Sequence, residues 1–242
     1  MLWYHTYMKN KKINGFKIFA SILFAILILG AYGYVIWKGE PWDRSYLSYG
    51  AIGLCFIFSV LFLTKNAKKT FITLALACNV AADYFLVFEP SEKHKLIGLC
   101  IFLGMQLFYF CYTLAVQKNN FARAINFALR LSVCLAAILI LPRFATLQTI
   151  ELLAAIYIAN SFITWLVMIF HFKTEWLACF GMLLFIACDV CVGFNNGALE
   201  ILHIPATSKF IEFITTHDVA FWLYTPGVFF ISLSSVWTKN KK

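Results

Sequence analysis

The sequence predicts an all-α, polytopic membrane protein, with eight transmembrane helices in one bundle and residues 1–242 as a single domain. Three observations predict it. Hydrophobic residues make up 62% of the chain and charged residues 13%, where soluble domains hold about 45–50% and about 25%. A water-soluble fold of this length cannot hide so much apolar surface, so the solvent is lipid. The apolar residues also fall in runs of roughly the 20 residues that cross a hydrocarbon core, and most Lys and Arg lie between those runs. A net charge of +9 therefore reads as membrane orientation and not as a nucleic-acid surface.

The first run, 16–37, follows Lys9, Lys11, Lys12 and Lys17. It is long for a signal peptide and carries no small-residue cleavage site, so it reads as a retained span. Gly39-Glu40-Pro41 and Asp43-Arg44 precede the second, 46–64, and Lys65 to Lys69 precede the third, 70–88. Glu89-Pro90 leads to the fourth, 95–116, and Lys118 to Asn120 to the fifth, 121–141. Pro142-Arg143 closes the fifth; Lys173 separates the sixth, 150–171, from the seventh, 174–194. The stretch from Asn195 to His217 mixes Leu199, Ile204, Phe210 and Phe213 with polar residues, which suits a short amphipathic element in the interface. The eighth span is 218–237.

Loops on one side of this arrangement, with both chain ends, hold thirteen Lys and Arg; the alternate loops hold six: Lys38, Arg44, Lys93, Lys95, Arg143 and Lys209. The richer side is cytoplasmic, so both termini face the cytoplasm, as an even number of spans requires. The expected location is a multi-pass position in a bacterial inner membrane, or in an endomembrane of a eukaryote. All eight cysteines lie in apolar runs, where cysteine acts as a small hydrophobe and not as half of a disulfide framework. Cys188 and Cys191 spell C-x-x-C, but no second pair accompanies them. No histidine falls mid-span, and G-x-S-x-G, P-loop and H-E-x-x-H motifs are missing. The residues thus call for no metal and no cofactor, and they leave oligomeric state open.

Two carboxylates inside spans stand out, because burying a charge in lipid is costly. Asp83 and Asp189 each lie five residues before the outer end of spans that run in the same direction. That places both about 7–8 Å inside the outer boundary. One intramembrane Asp often serves as glue between helices; two at one depth point to a shared polar site. Asn79 lies one turn before Asp83 on the same face. Gln106 and Tyr109 share a face of the fourth span. Arg130, one turn after Asn126 in the fifth, must pair or snorkel, and its planar fork suits a carboxylate or a phosphate.

This pattern resembles the YhhN-like lysoplasmalogenases. The resemblance rests on the apolar stretch ending at Asp83 and on Gly98, Phe102, Gln106 and Tyr109 in the fourth span. Gly181, Phe185, Cys188 and Asp189 in the seventh, and the run from Tyr224 to Ser234, complete it. It extends from about Lys65 to Ser234. Three positions depart from the family: Gln106 replaces a histidine, Cys188 a serine, and Val228 a glutamine. Gln106 forms hydrogen bonds but carries no proton at neutral pH.

The resemblance implies an ether hydrolase that cleaves the vinyl-ether bond of a lysoplasmalogen to a fatty aldehyde and a glycerophospho-base. The expected partners are the lysophospholipid in the bilayer and the membrane itself, not nucleic acid. A vinyl ether is cleaved by protonating its distal alkene carbon; water then adds to the oxocarbenium ion. Two neighbouring carboxyls in a medium of low polarity do not share one protonation state, so one serves as acid and the other as base, as in glycosidases. Asp83 and Asp189 are the expected catalytic pair, with Asn79, Gln106, Tyr109, Arg130 and Tyr224 binding substrate. Two other classes fit the same residues: a small transporter or proton-coupled carrier using the paired aspartates, and a non-catalytic lipid-binding relative. Reporter fusions to successive loops test the topology. Both termini should report cytoplasmic, and an external carboxyl terminus overturns the span count or the matched depth of the aspartates.

Overall fold

The computed structural model describes residues 2–38, 41–88, 91–144, 149–194 and 209–237. Its helices are α1 (Leu2–Lys38), α2 (Pro41–Leu61), α3 (Ala67–Val87), α4 (Glu92–Val116) and α5 (Asn120–Leu139). They continue as α6 (Leu141–Phe144), α7 (Thr149–Phe170), α8 (Phe172–Gly193), α9 (Lys209–Thr216) and α10 (Val219–Trp237). No strand occurs among the described residues. The breaks before α3 and α5 fall at the stretches Lys65 to Lys69 and Lys118 to Asn120, and polar side chains there cap the next helix; Asp43-Arg44, by contrast, lie inside α2 and Pro142-Arg143 inside α6. Asn66 accepts from the Lys68 amide at 3.0 Å and Asn119 from the Phe121 amide at 2.9 Å. Each bond satisfies one of the donors that a helix start leaves open.

Seven helices among the described residues are long and apolar enough to cross a membrane. The expected second span, in α2, supplies only the 17 residues Ser45–Leu61. The helix stops at Leu61, where the apolar run continues to Thr64, so length alone supports seven spans. Of the expected interfacial element, 195–208 lies outside the described residues; the remainder is α9, which buries Ile214 and exposes Phe213.

The chain divides into two compact units, Met1–Ala51 and Ile52–Lys242. The first holds α1 and the start of α2, with Phe24, Ile28 and Val35 buried. The second contains a closed ring. Packing runs from α3 to α4, on to α7, α8 and α10, and back to α3, while α5 lies outside the ring against α7. The end of α2 joins α3 and α10 through hydroxyls. Ser59 bonds Thr73 at 2.6 Å and Ser235 at 3.0 Å.

Two close backbone approaches set the ring. A Cβ at Gly181 would lie 2.7 Å from the Gly227 carbonyl oxygen and 2.8 Å from the Ile231 amide nitrogen, so α8 and α10 touch backbone to backbone. At Gly98 it would meet Leu86 Cγ at 2.8 Å and the Ala82 carbonyl at 3.2 Å, which brings α4 against α3 beside Asp83. Between lipid-facing helices such small-residue contacts supply packing that a hydrophobic drive cannot. Pro226, inside α10, removes one backbone donor next to the Gly227 crossing. The melting temperature of the detergent-purified protein tests this. Gly181→Ala should destabilise by about 1–3 kcal/mol through overpacking. Gly104→Ala, where a Cβ meets nothing within 4 Å, should not. Equal melting of Gly181→Ala and wild type refutes the close crossing.

Candidate active site

Every helix of the ring contributes at least one side chain to a single polar cluster. Asp83 comes from α3, Tyr109 from α4, Tyr157 from α7, Asp189 from α8 and Tyr224 from α10. Each carboxyl is held by a phenol. Tyr157 donates to Asp189 Oδ2 at 2.8 Å, and Tyr224 Oη lies against Asp83 Oδ2 in a short hydrogen bond. Asn79, one turn before Asp83, places its Oδ1 3.3 Å from the same Tyr224 hydroxyl. Asp83 and Asp189 are near enough for their charges to interact, and Asp189 acts likewise on Tyr109.

Burial is uneven across the cluster. Asp83, Asn79, Tyr109 and Tyr157 are buried, while Asp189 and Tyr224 are half-buried. The cluster therefore opens on the side of α8 and α10. Asp218 lies just before α10. It adopts φ 48°, a left-handed conformation that Asp tolerates better than most residues.

The phenols are braced by aromatic rings. Phe102 packs on Tyr157 with centroids 5.4 Å apart, and Phe185 on Tyr224 at 5.5 Å. The glycines one turn earlier, Gly98 and Gly181, make the close approaches described above. Each Gly–Phe pair thus brings two helices together and then fixes the tyrosine that bonds an aspartate.

The structure brings Asp83, Asp189, Asn79, Tyr109 and Tyr224 together and leaves the other two expected residues in a neighbouring cluster. Gln106 donates to Ser161 at 2.6 Å, and Arg130 bonds Asn126, Asn160 and Thr164. No hydrogen bond joins either to a carboxyl among the described residues. Tyr157 escapes the sequence reading because nothing separates it from the apolar run around it. Its only signal is its place three and four residues before the polar pair Asn160-Ser161.

A third network closes the opposite end of the ring. Glu175, only 2% exposed, accepts from Lys68 Nζ and from the Tyr112 hydroxyl, both at 2.6 Å. It sits at a non-helical residue, φ −121° and ψ 24°, near the start of α8. Glu175 and Asp189 are fourteen residues apart on that helix, about 21 Å at 1.5 Å per residue. No group of His, Cys, Asp and Glu suited to a metal ion occurs among the described residues.

A model of the YhhN family matches residues 44–235, which covers all of the ring but the last two residues of α10, and every side chain of the cluster. No curated protein and no solved structure matches the chain.

Proposed function

The chain belongs to the YhhN family, and we propose that it is a membrane hydrolase that cleaves the vinyl-ether bond of a lysoplasmalogen by carboxyl acid/base catalysis. The observation that carries this reading is the pair of aspartates, each bonded to its own tyrosine inside one ring of helices. The reaction needs one proton donor and one anion, and a pair of carboxyls can supply both.

The two carboxyls differ in their surroundings, which favours a division of roles. Tyr224 bonds Asp83 and Tyr157 bonds Asp189, but Asp83 is buried whereas Asp189 is half-buried on the open side of the cluster. Water reaches Asp189 first, so the base that activates it is assigned to Asp189 and the acid to Asp83. In this mechanism Asp83 passes its proton to the distal alkene carbon, leaving an oxocarbenium ion at the carbon bonded to oxygen. Asp189 stabilises that cation and removes a proton from the water that adds to it. The hemiacetal then collapses to a fatty aldehyde and a free glycerol hydroxyl. Tyr109, beside Asp189, positions the water.

Purified protein supplied with lysoplasmalogen in detergent, with aldehyde release measured, tests the reading. Ester and saturated-ether analogues should not turn over, because only the alkenyl bond accepts a proton at carbon. Equal turnover of an ester lysolipid would refute this chemistry.

Asp83→Asn and Asp189→Asn should each lower turnover by about 10²–10⁴, the usual worth of a positioned acid or base. Asn keeps the shape of Asp but neither donates an acidic proton nor holds a negative charge. The double variant should be little worse than the slower single one, because the two act as a unit. Intact hydrolysis in both single variants removes these residues from the site. Cation-coupled transport without aldehyde release assigns the protein to the carriers.

A further inference from the structure

Arg130 lies about halfway along α5, roughly 15 Å from its start, which is near the middle of a 30 Å hydrocarbon core. It is 6% exposed, and its guanidinium charge is permanent. Its partners are all neutral. Nε donates to Asn126 Oδ1 at 3.0 Å, Nη1 to the Asn160 carbonyl and Oδ1 at 3.3 and 3.1 Å, and Nη2 to Thr164 at 2.7 Å. The Phe110 ring covers one face at 5.2 Å. Four of the five N–H donors of a guanidinium are thereby used, and the fifth, on Nη2, is unspent. No carboxylate pairs with Arg130 among the described residues.

This cation lines a groove of about 500 Å³ between α4, α5 and α7. The walls are apolar: Leu103, Leu107, Phe110, Phe127 and Leu131 line it, and Leu107, Phe127 and Leu131 are exposed to the lipid side. Gln106 reaches the groove from α4 with its Oε1 buried and without a hydrogen-bond partner. Gly104 keeps the groove open. A Cβ there would meet nothing within 4 Å, so no close packing accounts for a residue that costs a helix interior about 1 kcal/mol relative to Ala.

We propose that this groove binds one long-chain fatty acid, its carboxylate on Arg130 and its chain along the apolar walls. The charge selects an anion, and the walls select a single chain. Depth selects the carboxyl. A fatty acid enters hydrocarbon as the neutral acid and returns its proton to the aqueous phase as the ion pair forms, whereas a phosphate headgroup keeps its charge throughout. The site is separate from the aspartate pair and does not depend on the reaction proposed there.

Photolabelling of the full chain in zwitterionic nanodiscs, with palmitic acid carrying a diazirine in its chain, tests this. The label should map to residues 103–107 and 127–134, and unlabelled palmitate should compete where hexadecanol does not. Gly104→Leu, which fills the groove at an open position, and Arg130→Gln, which removes the charge, should each reduce labelling at these residues by about tenfold or more. Arg130→Lys should retain most of it. Melting temperatures show whether each variant folds; should Arg130→Gln fail to fold, Gly104→Leu and the hexadecanol competition still decide. Unchanged labelling in Gly104→Leu, or equal competition by hexadecanol, overturns the proposal. Stronger competition by a lysophosphatidylcholine than by palmitate overturns it too, in favour of a phospholipid headgroup at Arg130. Loss of aldehyde release with labelling intact would leave this site standing and count only against the reaction at Asp83 and Asp189.

Discussion

Hydrocarbon offers no hydrogen bonds, so each polar or charged side chain placed inside it must be satisfied by another part of the protein. That constraint decides which helices of this chain are neighbours. Asp83 is met by Tyr224, 141 residues later, Lys68 by Glu175, 107 later, and Ser59 by Ser235, 176 later. These bonds tie α3 to α10, α3 to α8, and α2 to α10, although the sequence between them crosses the bilayer several times. Buried and left unpaired, Ser59, Asp83 or Glu175 would each cost about 2 kcal/mol or more. Alternative helix arrangements that strand them are therefore heavily disfavoured.

Polar pairing selects the neighbours, but it does not set how near they come. That falls to glycine. Gly181 and Gly227 let α8 and α10 meet at backbone distance, and Gly98 does the same for α4 against the Ala82 carbonyl. A phenol reaches a carboxyl on the next helix only when the backbones are held at a fixed separation. The adjoining Phe102 and Phe185 then remove the remaining freedom of Tyr157 and Tyr224. The ring is therefore built in the order glycine, aromatic, phenol, carboxyl.

Much of this was legible in the sequence. Asp83 and Asp189 were conspicuous because lipid makes carboxylates rare, and their equal distance from the span ends predicted a common depth. The breaks before α3 and α5 were legible because the stretches Lys65 to Lys69 and Lys118 to Asn120 signal turns, and Asn66 and Asn119 within them cap the helices that follow. Tyr157 was not legible, since a tyrosine in an apolar run looks the same whether it faces lipid or a carboxylate. Glu175 was hidden for another reason. Lying next to a loop, it reads as a solvated charge, and only the packing of Lys68 and Tyr112 around it makes it buried. The length of α2 also depended on packing: apolar residues continue past Leu61, but the helix does not.

Gln106 shows how the geometry bears on chemistry. The resemblance to the family puts a histidine at this position, which suggests a lost proton carrier. In the structure Gln106 bonds Ser161, one turn along α7 from Tyr157, and lines the groove of Arg130. No bond runs from it to either carboxyl among the described residues. The groups able to move a proton, Asp83 and Asp189 with their two phenols, are all present on the neighbouring face of the ring. A neutral amide at position 106 therefore leaves the acid and base of the proposed reaction untouched. Its uncharged side chain leaves the Arg130 guanidinium as the one charge lining the adjoining groove among the described residues.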